Sequence, residues 1–179
     1  MKILKRLLFV ILLLIAVALI TALFVKQEMH AEREVIINKP KAEVYDYVKY
    51  LKNQNDYSKW GTMDPAMKKE FRGTDGTVGF VSAWESENGE VGKGEQEITA
   101  INPGERIEYE LRFIEPMESK AAAYMTLDAV SANQTKVKWG FNGKMNYPFN
   151  IMRLFMDMDK MIGDDFAAGL DKLKGKLEK

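Results

Sequence analysis

The sequence predicts an α+β fold, in which a curved antiparallel sheet of about six to seven strands wraps a long C-terminal helix, with one transmembrane helix at the N-terminus. Three observations predict it. Residues 7–25 are uncharged, residues 106–113 alternate charged with apolar side chains, and apolar residues between 148 and 179 recur every three or four positions. These patterns are typical of a membrane span, a half-buried strand and an amphipathic helix, respectively.

The N-terminal segment is long enough to cross a bilayer. Leu7–Val25 contains 19 residues, of which 15 are Leu, Ile, Val or Phe. As a helix it is about 28 Å long, close to the thickness of a hydrocarbon core. Three basic residues precede it: Lys2, Lys5 and Arg6. By the positive-inside rule we predict a single-pass anchor in the cell membrane over residues 1–26, with a cytoplasmic N-terminus, a tether over residues 27–33 and the domain on the outer (periplasmic or extracellular) side.

A cleaved signal peptide is the alternative interpretation of the same segment. The apolar region of a signal peptide usually runs about 7–15 residues and ends at a cleavage site flanked by small residues. Ala16 and Ala18 form the best such pair, but they lie inside the apolar run. The sequence leaves both interpretations open.

The chain after the anchor contains strand and helix patterns in a definite order. Residues 32–38 form a β-branched run, Pro40 introduces a helix, and a second short helix covers residues 53–60. Alternation and turn residues then predict further strands over residues 67–72, 78–86, 91–101, 106–113, 120–130 and 136–141. Because the links are short, we expect antiparallel pairing and one domain over residues 34–179.

The last predicted element is one helix over residues 148–179. Its apolar stripe consists of Ile151, Phe155, Met158, Ile162, Phe166, Leu170, Leu173 and Leu177. Three glycines interrupt the helix, Gly163, Gly169 and Gly175, at a cost of roughly 1 kcal/mol each relative to alanine. They are tolerable where a missing side chain lets another group come close.

Composition excludes several kinds of site. The formal net charge of zero argues against a nucleic-acid partner. The sequence has no cysteine, and its one histidine, His30, precedes the predicted domain. Thiol or histidine catalysis and Cys- or His-ligated metals are therefore not expected there. We assign no catalytic residue, metal or cofactor, and we expect a monomer.

Five segments of the chain together carry a family resemblance. They are PKAEVYDYVKYLKNQNDYSKW at 40–60, GTDGTVGFVSAW at 73–84, INPGERIEYEL at 101–111, TKVKWGF at 135–141 and DKMIGDDFAAGLDKLK at 159–174. In this order and spacing they resemble the START/polyketide-cyclase-like (SRPBCC, helix-grip) superfamily, in particular a membrane-anchored bacterial member, over about residues 34–178. The resemblance implies a helix-grip fold with a deep pocket between the sheet and the last helix for lipids, polyketides or other hydrophobic molecules.

Nine side chains are candidates for the wall of that pocket. They are Trp84, Gln96, Tyr109, Phe113, Met125 and Trp139 from the strands, with Met158, Met161 and Ile162 from the helix. The polar candidates for orienting a ligand are Ser82, Gln96 and Tyr109. Aromatic residues and methionines at this spacing also form ordinary cores, so both interpretations stay open.

Three functions are compatible with the sequence. The first is a membrane-anchored binding module for a lipid or other hydrophobic small molecule. The second is an enzyme of the cyclase or hydrolase type that uses Tyr109, Glu95 or Glu97 as acid or base, which requires a perturbed pKa in the pocket. The third is an interaction domain whose pocket is filled by its own side chains. A cavity too small for any ligand would favour the third.

Overall fold

The computed structural model describes residues 2–179, which form seven strands, five α-helices and two 3-10 helices. The α-helices are α1 (Lys2–Phe24), α2 (Lys41–Val48), α3 (Gln54–Tyr57), α4 (Lys59–Met63) and α5 (Met158–Leu177), and the 3-10 helices are Leu51–Asn53 and Phe149–Leu154. The strands are β1 (Glu28–Ile37), β2 (Lys68–Arg72), β3 (Val81–Glu85), β4 (Lys93–Asn102), β5 (Arg106–Glu115), β6 (Ser119–Ser131) and β7 (Gln134–Lys144).

All seven strands belong to one antiparallel sheet. Their order across the sheet is β1-β7-β6-β5-β4-β3-β2, so the first strand pairs with the last and the others form a meander. The register shifts on β4 and near the end of β6. Such irregularities bend a strand and increase its twist. The sheet curves around a concave face that holds α5, and this confirms the predicted helix-grip fold.

The concave face carries the apolar members of each alternating strand. On β6 the buried residues are Ala121, Ala123, Met125 and Leu127. Helix α5 packs on β1 and β7 and buries Phe166, Leu170 and Leu173. Burying a large apolar side chain contributes about 1.5–3 kcal/mol, so this part of the predicted apolar stripe holds the helix against the sheet.

The predicted single helix over residues 148–179 is divided in two. A short break separates the second 3-10 helix from α5, and Asp157 caps α5 after the break. The Asp157 side chain accepts a hydrogen bond from the backbone N–H of Lys160 at 2.9 Å, satisfying a donor that has no partner inside the helix. Ile151 and Phe155 therefore lie outside the stripe of α5, and Phe155 is 82% exposed.

Two of the three helix glycines permit close approach, as predicted, but to side chains of the chain itself. A Cβ at Gly169 would lie 2.9 Å from the Trp139 ring, and a Cβ at Gly163 would overlap the Arg33 guanidinium. Around Gly175 a Cβ would meet open space. Gly169 thus lets α5 sit directly on the sheet, whereas Gly163 leaves room for an arginine from β1.

Strand β1 begins earlier than the sequence predicts. Residues 28–33, most of the expected tether, pair with β7, where Glu28 lies opposite Lys144. The pairing satisfies backbone groups that a free tether would leave to water. His30 consequently lies on this strand and not outside the domain. Its Nδ1 is 2.8 Å from Oδ1 of Asn142, and the contact is exposed.

Helix α1 stands apart from the sheet. It is long and apolar enough to cross a membrane, and Ala22 is its buried residue. The end of α1 packs against the second 3-10 helix. This contact fixes where the apolar helix leaves the domain.

Candidate ligand-binding cavity

A cavity of about 610 Å³ lies between the concave face of the sheet and helices α3, α4 and α5. Sites for small molecules typically measure about 300–1,000 Å³. Helix α5 contacts β1 and β7, which leaves the concave face further along the sheet uncovered by it. The cavity occupies part of that uncovered face.

An aromatic pair forms the wall beneath β3, β4 and β5. Trp84 and Phe113 meet edge to face, with ring centroids 6.3 Å apart. The indole Nε1 of Trp84 donates to the Val91 carbonyl at 3.2 Å, so the polar edge of the ring is satisfied. Gly94 makes room for the indole, because a Cβ there would lie 2.6 Å from the ring. The pair therefore presents an apolar surface to the cavity.

A second aromatic cluster forms the wall beside α5. Trp139 stacks on Phe166 with ring centroids 4.5 Å apart, and Tyr57 meets the edge of Trp139 at 5.7 Å. Trp60 meets Phe166 at 5.9 Å. Trp60, Trp139 and Phe166 line the cavity, and Trp139 is only 4% exposed. These rings belong to both the core and the wall.

Three polar side chains on the wall are buried: Gln54, Ser58 and Gln96. The side chains of Gln54 and Gln96 each carry an amide group, and both residues line the cavity. Ser58 accepts a long 3.5 Å bond from the backbone of Gly61. An amide offers both donors and acceptors. The otherwise apolar wall can therefore orient the polar group of a ligand.

Five of the nine side chains predicted for the pocket lie on the cavity wall. They are Trp84, Gln96, Phe113, Trp139 and Ile162. Ser82, the additional polar candidate, also lines the cavity and lies opposite Gln96 in the β3–β4 register. Strand alternation placed all of these residues except Ile162, which lies on α5, on the concave face, and the cavity lies against that part of it.

The other four predicted side chains are not on the wall. Tyr109 and Met125 lie in the core, where α2 packs over β6, and burial raises the pKa of the Tyr109 hydroxyl. Met158 and Met161 lie in the first turn of α5, and Met161 is exposed. Of the three residues predicted from this helix, only Ile162 faces the cavity.

Several wall residues were not predicted from the sequence. Gln54 is the first residue of the four-residue helix α3, and Ser58 follows its last residue. This helix is too short to show a helical period. Tyr147 and Phe149 come from the segment after β7, and the sequence interpretation merged that segment with the last helix. The composition of this segment indicates a part of the wall, because five of the 11 methionines lie between Met145 and Met161. Methionine side chains are flexible and suit adaptable apolar surfaces.

The two carboxylates proposed as acid or base point away from the cavity. Arg112 lies between them on the outer face, with nitrogen–oxygen distances of 2.6 Å to Glu95 and 2.8 Å to Glu97. Burial opposes ionisation of Glu95, but hydrogen bonds from Arg112 and Arg72 outweigh it and lower the pKa of this carboxyl. Glu95 is therefore a paired anion on the outside of the sheet, where it has no access to a bound ligand.

Solved structures with the same fold share little sequence with this chain. The Zhui aromatase/cyclase from Streptomyces sp. R1128 superposes with a TM-score of 0.63 and 14% identity, over 84% of this chain and 94% of that one. Protein CV1439 from Chromobacterium violaceum gives 0.59 and 14%, over 84% and 97%. Ara h 8.0201 gives 0.55 and 16%, over 84% and 97%. These likenesses concern the fold.

The sequence itself carries the family relationship. Among curated protein sequences, none matches this chain. A family profile matches it over residues 28–178, from the start of β1 to the end of α5. That match covers the sheet, the cavity and the gripped helix, so the chain belongs to the polyketide cyclase / dehydrase and lipid transport family.

Proposed function

We propose that this protein is a membrane-anchored binding module that holds a lipid or another hydrophobic small molecule in the cavity between the sheet and α5. The observation that carries the proposal is the unfilled cavity of about 610 Å³. Its aromatic wall provides apolar contact area. The amides of Gln54 and Gln96, two buried residues on the wall, provide a polar anchor.

The free energy of binding would come mainly from apolar burial. A chain of a dozen methylenes gains about 10 kcal/mol when it leaves water, at about 0.8 kcal/mol per methylene. Lost translational and rotational freedom offsets at least about 4 kcal/mol of this. The remainder is at most about 6 kcal/mol, which corresponds to a dissociation constant of about 40 μM or higher.

The anchor part of the proposal rests on α1. This helix is long and apolar enough to span a bilayer, and the basic residues Lys2, Lys5 and Arg6 precede its apolar run. The positive-inside rule then places the N-terminus in the cytoplasm and the cavity-bearing domain on the outer side. The family description, which includes lipid transport, supports a ligand that is itself a membrane component.

The other two functions receive less support. An interaction domain would have its pocket filled by its own side chains, whereas here a ligand-sized space is present. An enzyme that uses Glu95 or Glu97 would need these carboxylates inside the cavity, but both are paired with Arg112 on the outer face. The cavity therefore favours binding.

Native mass spectrometry of the full chain, extracted from its host membranes in a mild detergent, tests the proposal. We expect a mass excess of one small apolar molecule that leaves at higher collision energy. Binding is measured independently with a conjugated polyene fatty acid, which accepts energy from tryptophan. All three tryptophans, Trp60, Trp84 and Trp139, line the cavity, so binding there quenches their emission. A chain that carries no molecule and gives no energy transfer would contradict the proposal.

A further inference from the structure

One end of the sheet brings the cavity and the apolar helix together. At this end β4 begins and β5 ends, with Lys93 opposite Glu115, and β1 begins and β7 ends, with Glu28 opposite Lys144. The connecting segments at this end contribute cavity wall, including residues 89–91, 115–118 and 145–147. Helix α1 ends at Phe24, just before β1. This part of the cavity wall and the exit of α1 therefore share one end of the domain.

The same end exposes a group of large apolar side chains. This apolar rim consists of Met117, Tyr147, Phe149, Met152, Leu154 and Phe155. Three of its members, Met117, Tyr147 and Phe149, also line the cavity. Large apolar side chains exposed together at one end of a domain are typical of a site of contact with a membrane or another molecule.

A buried asparagine fixes the apolar rim to the end of α1. Asn150 is fully buried and its Nδ2 donates to the carbonyls of Ala22 and Val25, at 2.7 and 2.8 Å. Carbonyls in the last turn of a helix lack partners within it. The apolar rim thus lies level with the last turn of the apolar helix.

We propose that the apolar rim inserts into the interfacial layer of the phospholipid bilayer that α1 crosses, so that the cavity opens onto lipid and takes its ligand directly from the membrane. The inference rests on the proposed function for its ligand and its anchor. If α1 spans the bilayer, its last turn lies at the boundary between acyl chains and headgroups, where amphipathic segments and tyrosines are favoured. Lys144 and Glu118, which carry opposite charges, both line the cavity at this end, so apolar insertion drives docking, and anionic lipid is not required.

Site-specific labelling tests the position of the apolar rim, because the chain contains no cysteine. An environment-sensitive fluorophore is attached to Phe155→Cys in the full chain, reconstituted in phosphatidylcholine vesicles. The matched control is Val130→Cys, an apolar position that is 50% exposed near the β6–β7 turn at the opposite end of the sheet. We expect doxyl-labelled lipid to quench the label at position 155, and iodide to quench it several-fold less than at position 130. Equal iodide quenching at the two positions, without quenching by doxyl lipid, would overturn the inference.

Ligand loading separates this inference from the proposed function. Leu154→Ser/Phe155→Ser changes the apolar rim at two positions that do not line the cavity, and Val130→Ser is the control. We expect the rim variant to bind the polyene fatty acid in detergent as the wild type does, but to acquire it from vesicles several-fold more slowly. Wild-type loading rates in the rim variant would refute direct uptake and leave ligand binding intact. If the wild type carries no small molecule in native mass spectrometry and binds no fatty acid in detergent, the proposed function and with it direct uptake fail, while the depth labels still decide whether the rim inserts.

Discussion

A large side chain introduced at one position of β6 tests both whether the cavity exists and whether it binds the ligand. Ala123 on β6 is buried and lines the cavity, whereas its neighbour Ala122 is exposed, since successive strand residues face opposite sides. Ala123→Phe therefore places a ring in the cavity, and Ala122→Phe places the same ring in water. The two variants differ only in the face of the sheet that carries the ring.

The size of the effect follows from the cavity volume. A cavity that accommodates benzene measures about 150 Å³, which is roughly a quarter of the 610 Å³ available. A bound chain of a dozen methylenes then loses contact for about three of them, or about 2.4 kcal/mol. We expect the Kd of Ala123→Phe to rise roughly fiftyfold. The buried ring itself contributes up to about 2 kcal/mol, so the free energy of unfolding should stay unchanged or increase.

Both quantities are measured on the full chain in one detergent. Energy transfer from tryptophan to the polyene fatty acid gives the Kd, and urea unfolding gives the stability. A loss of about 1–3 kcal/mol or more in Ala123→Phe would show that no space adjoins this residue, because overpacking a filled core typically costs that much. A Kd equal to that of Ala122→Phe in a stable Ala123→Phe variant would place the ligand elsewhere.

Three further predictions concern single side chains. Trp139→Ala should lower the free energy of unfolding by about 3–5 kcal/mol in urea titrations, since Trp139 is buried and stacks on Phe166; a loss below about 1 kcal/mol would show that this stack does not form. Gln96→Leu should weaken binding of a polyene fatty acid about five- to thirtyfold, the equivalent of about 1–2 kcal/mol for a lost hydrogen bond, without lowering stability; unchanged affinity would remove Gln96 from the ligand site. Glu95→Gln should reduce the acid sensitivity of folding. Hydrogen bonds from Arg112 and Arg72 hold the pKa of Glu95 below its usual value. The ionised Glu95 therefore stabilises the folded state above about pH 4.3, and this stabilisation is lost as the pH falls further. An equal decrease of the urea midpoint between about pH 5 and pH 3 in the wild type and in Glu95→Gln would contradict this assignment.

The secondary-structure elements whose patterns depend on neighbouring residues could be predicted from the sequence alone. The alternation from Arg106 to Phe113 predicted β5, and the run from Leu7 to Val25 predicted the apolar helix. The stripe from Phe166 to Leu173 predicted the face that α5 buries. Each pattern repeats every two to four residues, which is the period of the element itself. The break before α5 also had a local signal, Asp157 as a capping residue, but the apolar spacing masked it.

The cavity wall depended on contacts between distant parts of the chain. Tyr109 and Phe113 lie on the same face of β5, yet Tyr109 is in the core and Phe113 lines the cavity. Alternation reports which face a side chain occupies, but not what lies above that face. A cavity exists where separate elements fail to meet, and this depends on the bend of the sheet and on where α2 and α5 cross it. The sequence by itself determined the elements and their apolar faces, whereas only the tertiary structure decided where those faces pack together and where they leave space.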